Sequence, residues 1–124
     1  LSVTFNFNKV DFGTVNIYQY NPALNQELGI YNVTVSSTSN YVVKAYAYDW
    51  SGTETIPANT LYIDTNETLS NLSFDSKVQL STTNVTIDTY PASVTENYYA
   101  FWFYAPLVKP GSYTTTMVIT YEIA

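Results

Sequence analysis

The sequence predicts an all-β domain built from two packed sheets. Apolar residues recur at every second position in many separate runs, and no stretch carries an apolar stripe with the helical period of about 3.6 residues. Thirteen of the 124 residues are tyrosine, and Thr and Val are frequent. Aromatic and β-branched side chains suit a pleated, half-buried surface, so this composition also favours strands over helices.

Short alternating runs cover the chain and predict roughly eight to ten strands. Tyr98–Tyr104 is apolar on both faces, which is typical of a central strand, whereas Asn21–Asn25 and Pro110-Gly111 read as loops. This pattern predicts an immunoglobulin-like β-sandwich with Greek-key connections, and a closed barrel is the alternative. The alternating runs begin at Leu1, Val15, Tyr31, Val43, Leu61, Leu72, Val78, Val85, Tyr98 and Tyr113.

The length suits a single domain, residues 1–124, with one core. Apolar residues make up 46% of the chain, and only 11% are charged, against about a quarter in ordinary domains.

There is no Cys, and hence no disulfide or thiolate site. No apolar run approaches the roughly 18 residues of a membrane span, so we expect no membrane insertion of the mature chain. The first residue is Leu1, which we interpret as the start of a processed secreted chain or of a trimmed fragment.

The charge balance excludes several classes of partner. The chain has four Lys, no Arg and no His, and its net charge is −6. Nucleic-acid binding needs a clustered basic face, so we expect no nucleic-acid partner. The ten carboxylates would protonate around pH 4 and move the formal charge from −6 towards +4, which is compatible with an acidic habitat.

We expect no enzyme activity, no cofactor and no metal. Without His, Cys or Arg, most nucleophile–base relays and anion clamps cannot be built. The remaining candidates are the carboxylate pairs Asp49 with Glu54 and Asp64 with Glu67, as in a two-carboxylate glycosidase. Residues 64–67 are also oxygen-rich enough for Ca²⁺ but match no EF-hand spacing. Solvated charges in turns are the simpler interpretation of all four.

Four N-glycosylation sequons occur, at Asn32, Asn66, Asn71 and Asn84. A chain rich in Asn and Thr produces some sequons by chance, but their strand parity is informative. Asn32, Asn71 and Asn84 alternate with apolar neighbours, so they point to solvent if those neighbours face the core. Asn66 lies in a polar loop. We expect N-linked glycans on two or more of the four.

Aromatic residues offer one further candidate site. Tyr46, Tyr48, Trp50 and Trp102 are able in principle to form a platform on which sugar rings stack. The simpler interpretation places them in the core or at a subunit interface, where aromatic residues are common. We favour that second interpretation.

Two segments and the composition together carry a family resemblance. The alternating segment Leu1–Phe7 runs into Asp11–Val15, and a final strand follows Pro110-Gly111. With the absence of Cys and the richness in Tyr, Thr and sequons, the chain resembles the donor-strand-exchanging filament subunits of archaeal cell surfaces, the Sulfolobus-type threads and bundling pili. The resemblance implies a glycosylated, extracellular homopolymer on the cell surface that serves adhesion or biofilm formation.

The resemblance also implies that residues 1–9 form a donor strand and residues 10–124 the globular sandwich. Leu1, Val3, Phe5 and Phe7 alternate with polar residues, so they would fill an open groove in the next copy. The alternative is that this strand pairs within its own subunit. Two other functions stay open, namely a carbohydrate-binding adhesive module and an immunoglobulin-like domain of a surface-layer protein.

Overall fold

The computed structural model describes residues 1–124 and contains two antiparallel sheets, as in a β-sandwich. The all-β prediction is confirmed, since helix is limited to four single 3₁₀ turns, at Gln26–Leu28, Ala58–Thr60, Leu69–Asn71 and Phe74–Ser76. Each of these turns is three residues long, so none of them could span a bilayer. The nine strands are β1 (Ser2–Phe5), β2 (Tyr20–Pro22), β3 (Asn32–Ser36), β4 (Tyr41–Ala47), β5 (Leu61–Asn66), β6 (Val78–Gln79), β7 (Val85–Tyr90), β8 (Glu96–Tyr104) and β9 (Met117–Ile123).

The large sheet is organised around β8. Its strand order is β1-β3-β8-β5-β6, and β2 pairs with the second half of β8, beyond the end of β3. The small sheet has the order β7-β4-β9. The central strand expected at Tyr98–Tyr104 is therefore confirmed, and it begins slightly earlier, at Glu96.

The core is formed by the inward-facing residues of both sheets, as the period-2 pattern predicts. Val43, Ala45 and Ala47 on β4 are completely buried. They join one apolar cluster with Tyr99 and Phe101 on β8. Their outward-facing neighbours on β4 are only partly buried.

The strand expected at Val15 and Ile17 does not form. Tyr18 adopts a left-handed conformation, with φ 58°. The backbone N–H groups of this segment form hydrogen bonds that do not belong to a β-ladder. The Asn16 N–H donates to Asn21 Oδ1 at 2.9 Å, and the Tyr18 N–H donates to the Ala105 carbonyl at 2.7 Å. Side-chain capture of backbone groups competes with strand pairing, and a run of two apolar residues is too short to predict a strand.

The strand expected at Leu72 and Phe74 is also wrong. Leu72 follows the 3₁₀ turn Leu69–Asn71, and Phe74 begins the next turn, whose preceding residue Ser73 accepts a hydrogen bond at Oγ from the Asp75 N–H. Phe74 is 41% exposed and does not face the core. The last expected strand exists but begins at Met117, because the residues before it form only an isolated bridge through Thr114.

Tyrosine hydroxyls bond to one another and to the backbone inside the sandwich. Asn97 Nδ2 donates to the Tyr41 hydroxyl at 2.9 Å, and that hydroxyl donates to the Val94 carbonyl at 2.8 Å. The hydroxyls of Tyr99 and Tyr121 lie 2.6 Å apart. Burial raises the pKa of both Tyr99 and Tyr121, so these rings stay neutral and act as hydrogen-bonding core residues.

A buried carboxylate on β5 makes stability depend on pH. Asp64 is 6% exposed, and its Oδ2 accepts the Ser73 N–H at 2.9 Å. Burial raises the pKa of Asp64 above its ordinary value of 3.8, and the hydrogen bond from Ser73 opposes this rise. Because the folded-state pKa is the higher one, the stability linked to this group is fully present below pH 3.8 and is lost as pH rises through the folded-state value.

We therefore expect Asp64→Asn to raise the urea midpoint at pH 7 and to leave it nearly unchanged at pH 3.5. Asn keeps an oxygen acceptor for Ser73 and carries no charge to bury. Urea unfolding at the two pH values measures the effect. The exposed Asp75→Asn is the matched control and should change neither midpoint. An equal shift for Asp64→Asn at both pH values would contradict the electrostatic origin.

Candidate assembly groove

The two sheets differ in width, which leaves one side of the core open. The large sheet has five strands side by side, whereas the small sheet has three. β9 is an edge strand of the small sheet, because it pairs with β4 along its whole length and has no strand on its other side. Its outer backbone N–H and C=O groups are therefore free to pair with another strand.

The inward side chains of β9 are less buried than those of β4. Val43 and Ala45 are completely buried, whereas Met117, Ile119 and Tyr121 are only partly buried. Ala45 lies opposite Ile119, and Val43 lies opposite Tyr121, so the two sets are neighbours on the same face of one sheet. The difference arises because β4 lies between two strands and β9 has only one neighbour.

An open groove of about 1210 Å³ lies along this edge, and 16 of its 29 lining residues are hydrophobic. Clefts for small ligands are usually about 300–1,000 Å³, so this groove is larger than a typical small-molecule site. A groove beside a free strand edge suits an extended peptide, which pairs through its backbone and places alternate side chains in the groove. The core side chains that line it are Trp50, Ile56, Leu61, Phe103 and Ala105.

The connecting segment between β1 and β2, residues 6–19, contributes residues 7–15 and Ile17 to the lining of the groove. Phe7 packs against the rings of Tyr31, Tyr99 and Phe101, with centroid distances of 5.4, 6.0 and 6.2 Å. Residues 7–10 make no backbone hydrogen bond. This part of the connecting segment is thus held by side-chain packing alone.

Further along, Phe12 anchors the connecting segment to the core of the sandwich. Its ring lies 6.2 Å from that of Trp50 and 5.9 Å from that of Phe103. The Asp11 carbonyl accepts the Leu24 N–H at 2.7 Å. Gly13 follows with φ 64°, a conformation that favours glycine. The chain is therefore fixed from about Asp11 onwards.

The residues of the expected donor strand lie at the edge of this chain's own large sheet. β1 pairs antiparallel with β3. Leu1 and Phe5 remain 47% and 40% exposed, and Val3 is partly buried. Val3, and Phe7 beyond the strand, pack against the core cluster. The edge of the large sheet therefore buries these apolar side chains incompletely, although the Phe5 ring lies 6.0 Å from the ring of Tyr121 on β9.

The four sequon asparagines differ in how free their side chains are. Asn71 and Asn84 are exposed, and their side chains bond to no other group of the protein. Asn66 is half-buried, and its Oδ1 accepts the Thr68 N–H at 2.9 Å. Asn32 is half-buried. Its Oδ1 accepts a hydrogen bond from Asn6 Nδ2, and its Nδ2 donates one to the Gly29 carbonyl. Asn71 and Asn84 are therefore the more accessible of the four sequon side chains.

The candidate carboxylates do not converge on one site. Asp49 and Glu54 each accept a hydrogen bond from a backbone N–H of a neighbouring loop, at 2.9 and 2.8 Å. Asp64 is buried against Ser73, and Glu67 is exposed. No group of three or more acidic residues is arranged to hold a metal ion.

The four aromatic residues considered as a sugar platform lie in three separate parts of the fold. Trp50 lies in the core. Tyr46 and Tyr48 pair edge to face at 5.9 Å on the small sheet. Trp102 lies on the large sheet with 8% exposure, against Phe74. They therefore form no common platform.

A different aromatic group, which the sequence analysis missed, covers the outer face of the large sheet. Tyr20 lies 5.2 Å from Tyr62, 5.0 Å from Phe74 and 4.8 Å from Tyr104, measured between ring centroids. No local sequence signal marks these residues, because β2, β5, β8 and the second of the 3₁₀ turns after β5 each contribute to the group. We call it the outer cluster, and its members are Tyr20, Tyr62, Phe74, Lys77, Trp102 and Tyr104.

Comparison of the chain with protein-family models, with characterised proteins and with solved structures finds no match. The groove beside β9, the exposed sequons and the outer cluster are thus the features from which a function is inferred.

Proposed function

We propose that this chain is the structural subunit of an extracellular, glycosylated filament on a cell surface, of the archaeal type that the sequence resembles. Residues 1–9 of one copy add as a strand to the free edge of β9 in the next copy. The observation that carries the proposal is the half-exposed inner face of β9 beside a large apolar groove. An added strand would widen the small sheet to four strands and cover that face.

Moving the amino-terminal strand from β3 to a neighbour's β9 favours assembly through apolar burial. One set of strand hydrogen bonds replaces another, so their net contribution is small. Leu1 and Phe5 are 47% and 40% exposed where they now lie, and the groove would cover both. Burying these parts of two large side chains contributes on the order of 2 kcal/mol, and covering Met117 and Ile119 adds to it.

The departure of residues 1–9 also increases the need for an incoming strand. Phe7 leaves with them and uncovers the rings of Tyr31, Tyr99 and Phe101. Phe12 keeps the body anchored at the same time, which supports a boundary between residues 1–9 and residues 10–124. Repetition of such a head-to-tail contact produces an open filament.

The remaining parts of the proposal are an immunoglobulin-like Greek-key sandwich, a role in adhesion or biofilm formation, and glycans that coat the filament. A carbohydrate-binding adhesive module is the second candidate, favoured by the outer cluster, because exposed aromatic rings are suited to sugar contacts. Binding of the monomer to a sugar array would distinguish this candidate from the filament subunit.

We expect the full chain to form thin filaments of uniform width when it is partly unfolded and then refolded at high concentration. Partial unfolding releases β1 from β3, which is the step that exchange requires. Negative-stain microscopy and size-exclusion chromatography measure the product. A chain that returns only to monomer under these conditions is not a donor-strand filament subunit.

A further inference from the structure

The outer cluster is an aromatic surface without a known occupant. Tyr20 and Phe74 are 40% and 41% exposed, although each contacts other rings. The Lys77 ammonium lies 3.5 Å from the centroid of Phe74 and 4.9 Å from that of Tyr20. The same ammonium donates to the Phe74 carbonyl at 3.3 Å, so the surface combines open ring area with a positioned cationic donor.

A glycan acceptor lies on the same segment as this surface. Asn71 is exposed and its side chain bonds to no other group of the protein. It precedes Phe74 by three positions, so their Cα atoms are at most about 10 Å apart. The hydrogen bond from the Ser73 N–H to Asp64 Oδ2, at 2.9 Å, fixes the segment between them to β5.

We infer that the outer cluster is the docking surface for an N-linked glycan attached to Asn71, and that the first sugars pack on Phe74 and Tyr20. The apolar C–H face of a pyranose ring complements an aromatic ring, as other amphipathic groups do. Lys77 is placed to donate to a sugar hydroxyl. This inference rests on the proposed glycosylation of the chain and not on filament assembly.

Asn84 provides a matched comparison within the same chain. It is also exposed, and it lies just before β7 at an edge of the small sheet. Its neighbour on the outward face of β4 is Tyr46, because Val85 pairs with Ala45, and Tyr46 packs against the exposed Tyr48. A glycan on Asn84 would therefore lie on the small sheet, away from the outer cluster, so Asn84→Gln removes a glycan without changing that surface.

The test compares the chain made in an N-glycosylating host with the same chain made in a host that adds no glycans. Intact mass should show one glycan fewer in Asn71→Gln than in the wild type. Glycosylation should raise the Tm of the wild type and of Asn84→Gln by about 3–6 °C. In Asn71→Gln the rise should be much smaller.

Phe74→Leu tests the ring itself, because leucine still covers Trp102 but offers no aromatic face. Its glycan-dependent rise in Tm should be as small as that of Asn71→Gln. An unmodified Asn71, or a glycan-dependent rise in Phe74→Leu as large as that of the wild type, would overturn the inference. Asn71→Gln and Phe74→Leu should both assemble as the wild type does, since the outer cluster faces away from the groove. Loss of the Tm effect is therefore separable from failure of assembly.

Discussion

Deletion of residues 1–9 should abolish assembly and leave a folded monomer with a vacant groove. In the truncated chain Phe12 still packs against Trp50 and Phe103, but no strand remains to fill the groove of a neighbour. Microscopy should show no filaments at concentrations where the full chain polymerises. Filaments formed by the truncated chain would rule out residues 1–9 as the donor.

A synthetic peptide of residues 1–9 should bind the truncated chain and stabilise it. At a hundredfold excess over its Kd, a ligand that binds only the folded state adds about 2.7 kcal/mol to the free energy of unfolding. A control peptide with Phe5→Lys and Phe7→Lys keeps the length and backbone but cannot fill an apolar groove. The native peptide should raise the Tm of the truncated chain and the control peptide should not.

Ile119→Lys should produce a stable monomer that cannot accept a donor strand. Ile119 is partly buried and lines the open groove, so a lysine there can extend its ammonium group to water in the monomer. In the filament the incoming strand would bury that charge without a partner, at a cost of several kcal/mol. We expect the association constant to fall by at least about a hundredfold.

The matched control is Thr89→Lys, at an exposed position of β7, the opposite edge of the same small sheet. It adds the same charge away from the groove and should assemble like the wild type. Sedimentation and urea unfolding separate loss of assembly from loss of stability. Normal filaments from Ile119→Lys would show that the free edge of β9 is not the acceptor.

Mixing the two defective chains tests the head-to-tail arrangement. The Ile119→Lys chain retains a donor strand but has a blocked groove, and the truncated chain retains the groove but has no donor. The mixture should therefore stop at one-to-one heterodimers. Longer oligomers in this mixture would indicate a contact other than strand donation.

The sequence predicted the core better than it predicted the short elements. On β4, strict alternation identified Val43, Ala45 and Ala47 as core residues, and the structure buries all three. At Leu72 and Phe74 the run held only two apolar residues, and local hydrogen bonding through Ser73 formed turns instead of a strand. Alternation is informative only when it is long enough to exclude other conformations.

The sequence by itself determined that the chain is all-β, that its inward positions are apolar and that its charged side chains are few, because these properties follow from composition and from the alternation of residues along each strand. Only the tertiary structure decided which strands are neighbours, and therefore that β9 has a free edge beside a groove. Ile119 follows the same alternation as Ala45, yet only Ala45 is fully buried. Alternation specifies which face of a strand is apolar, but the burial of that face depends on neighbouring strands that lie far away in the sequence.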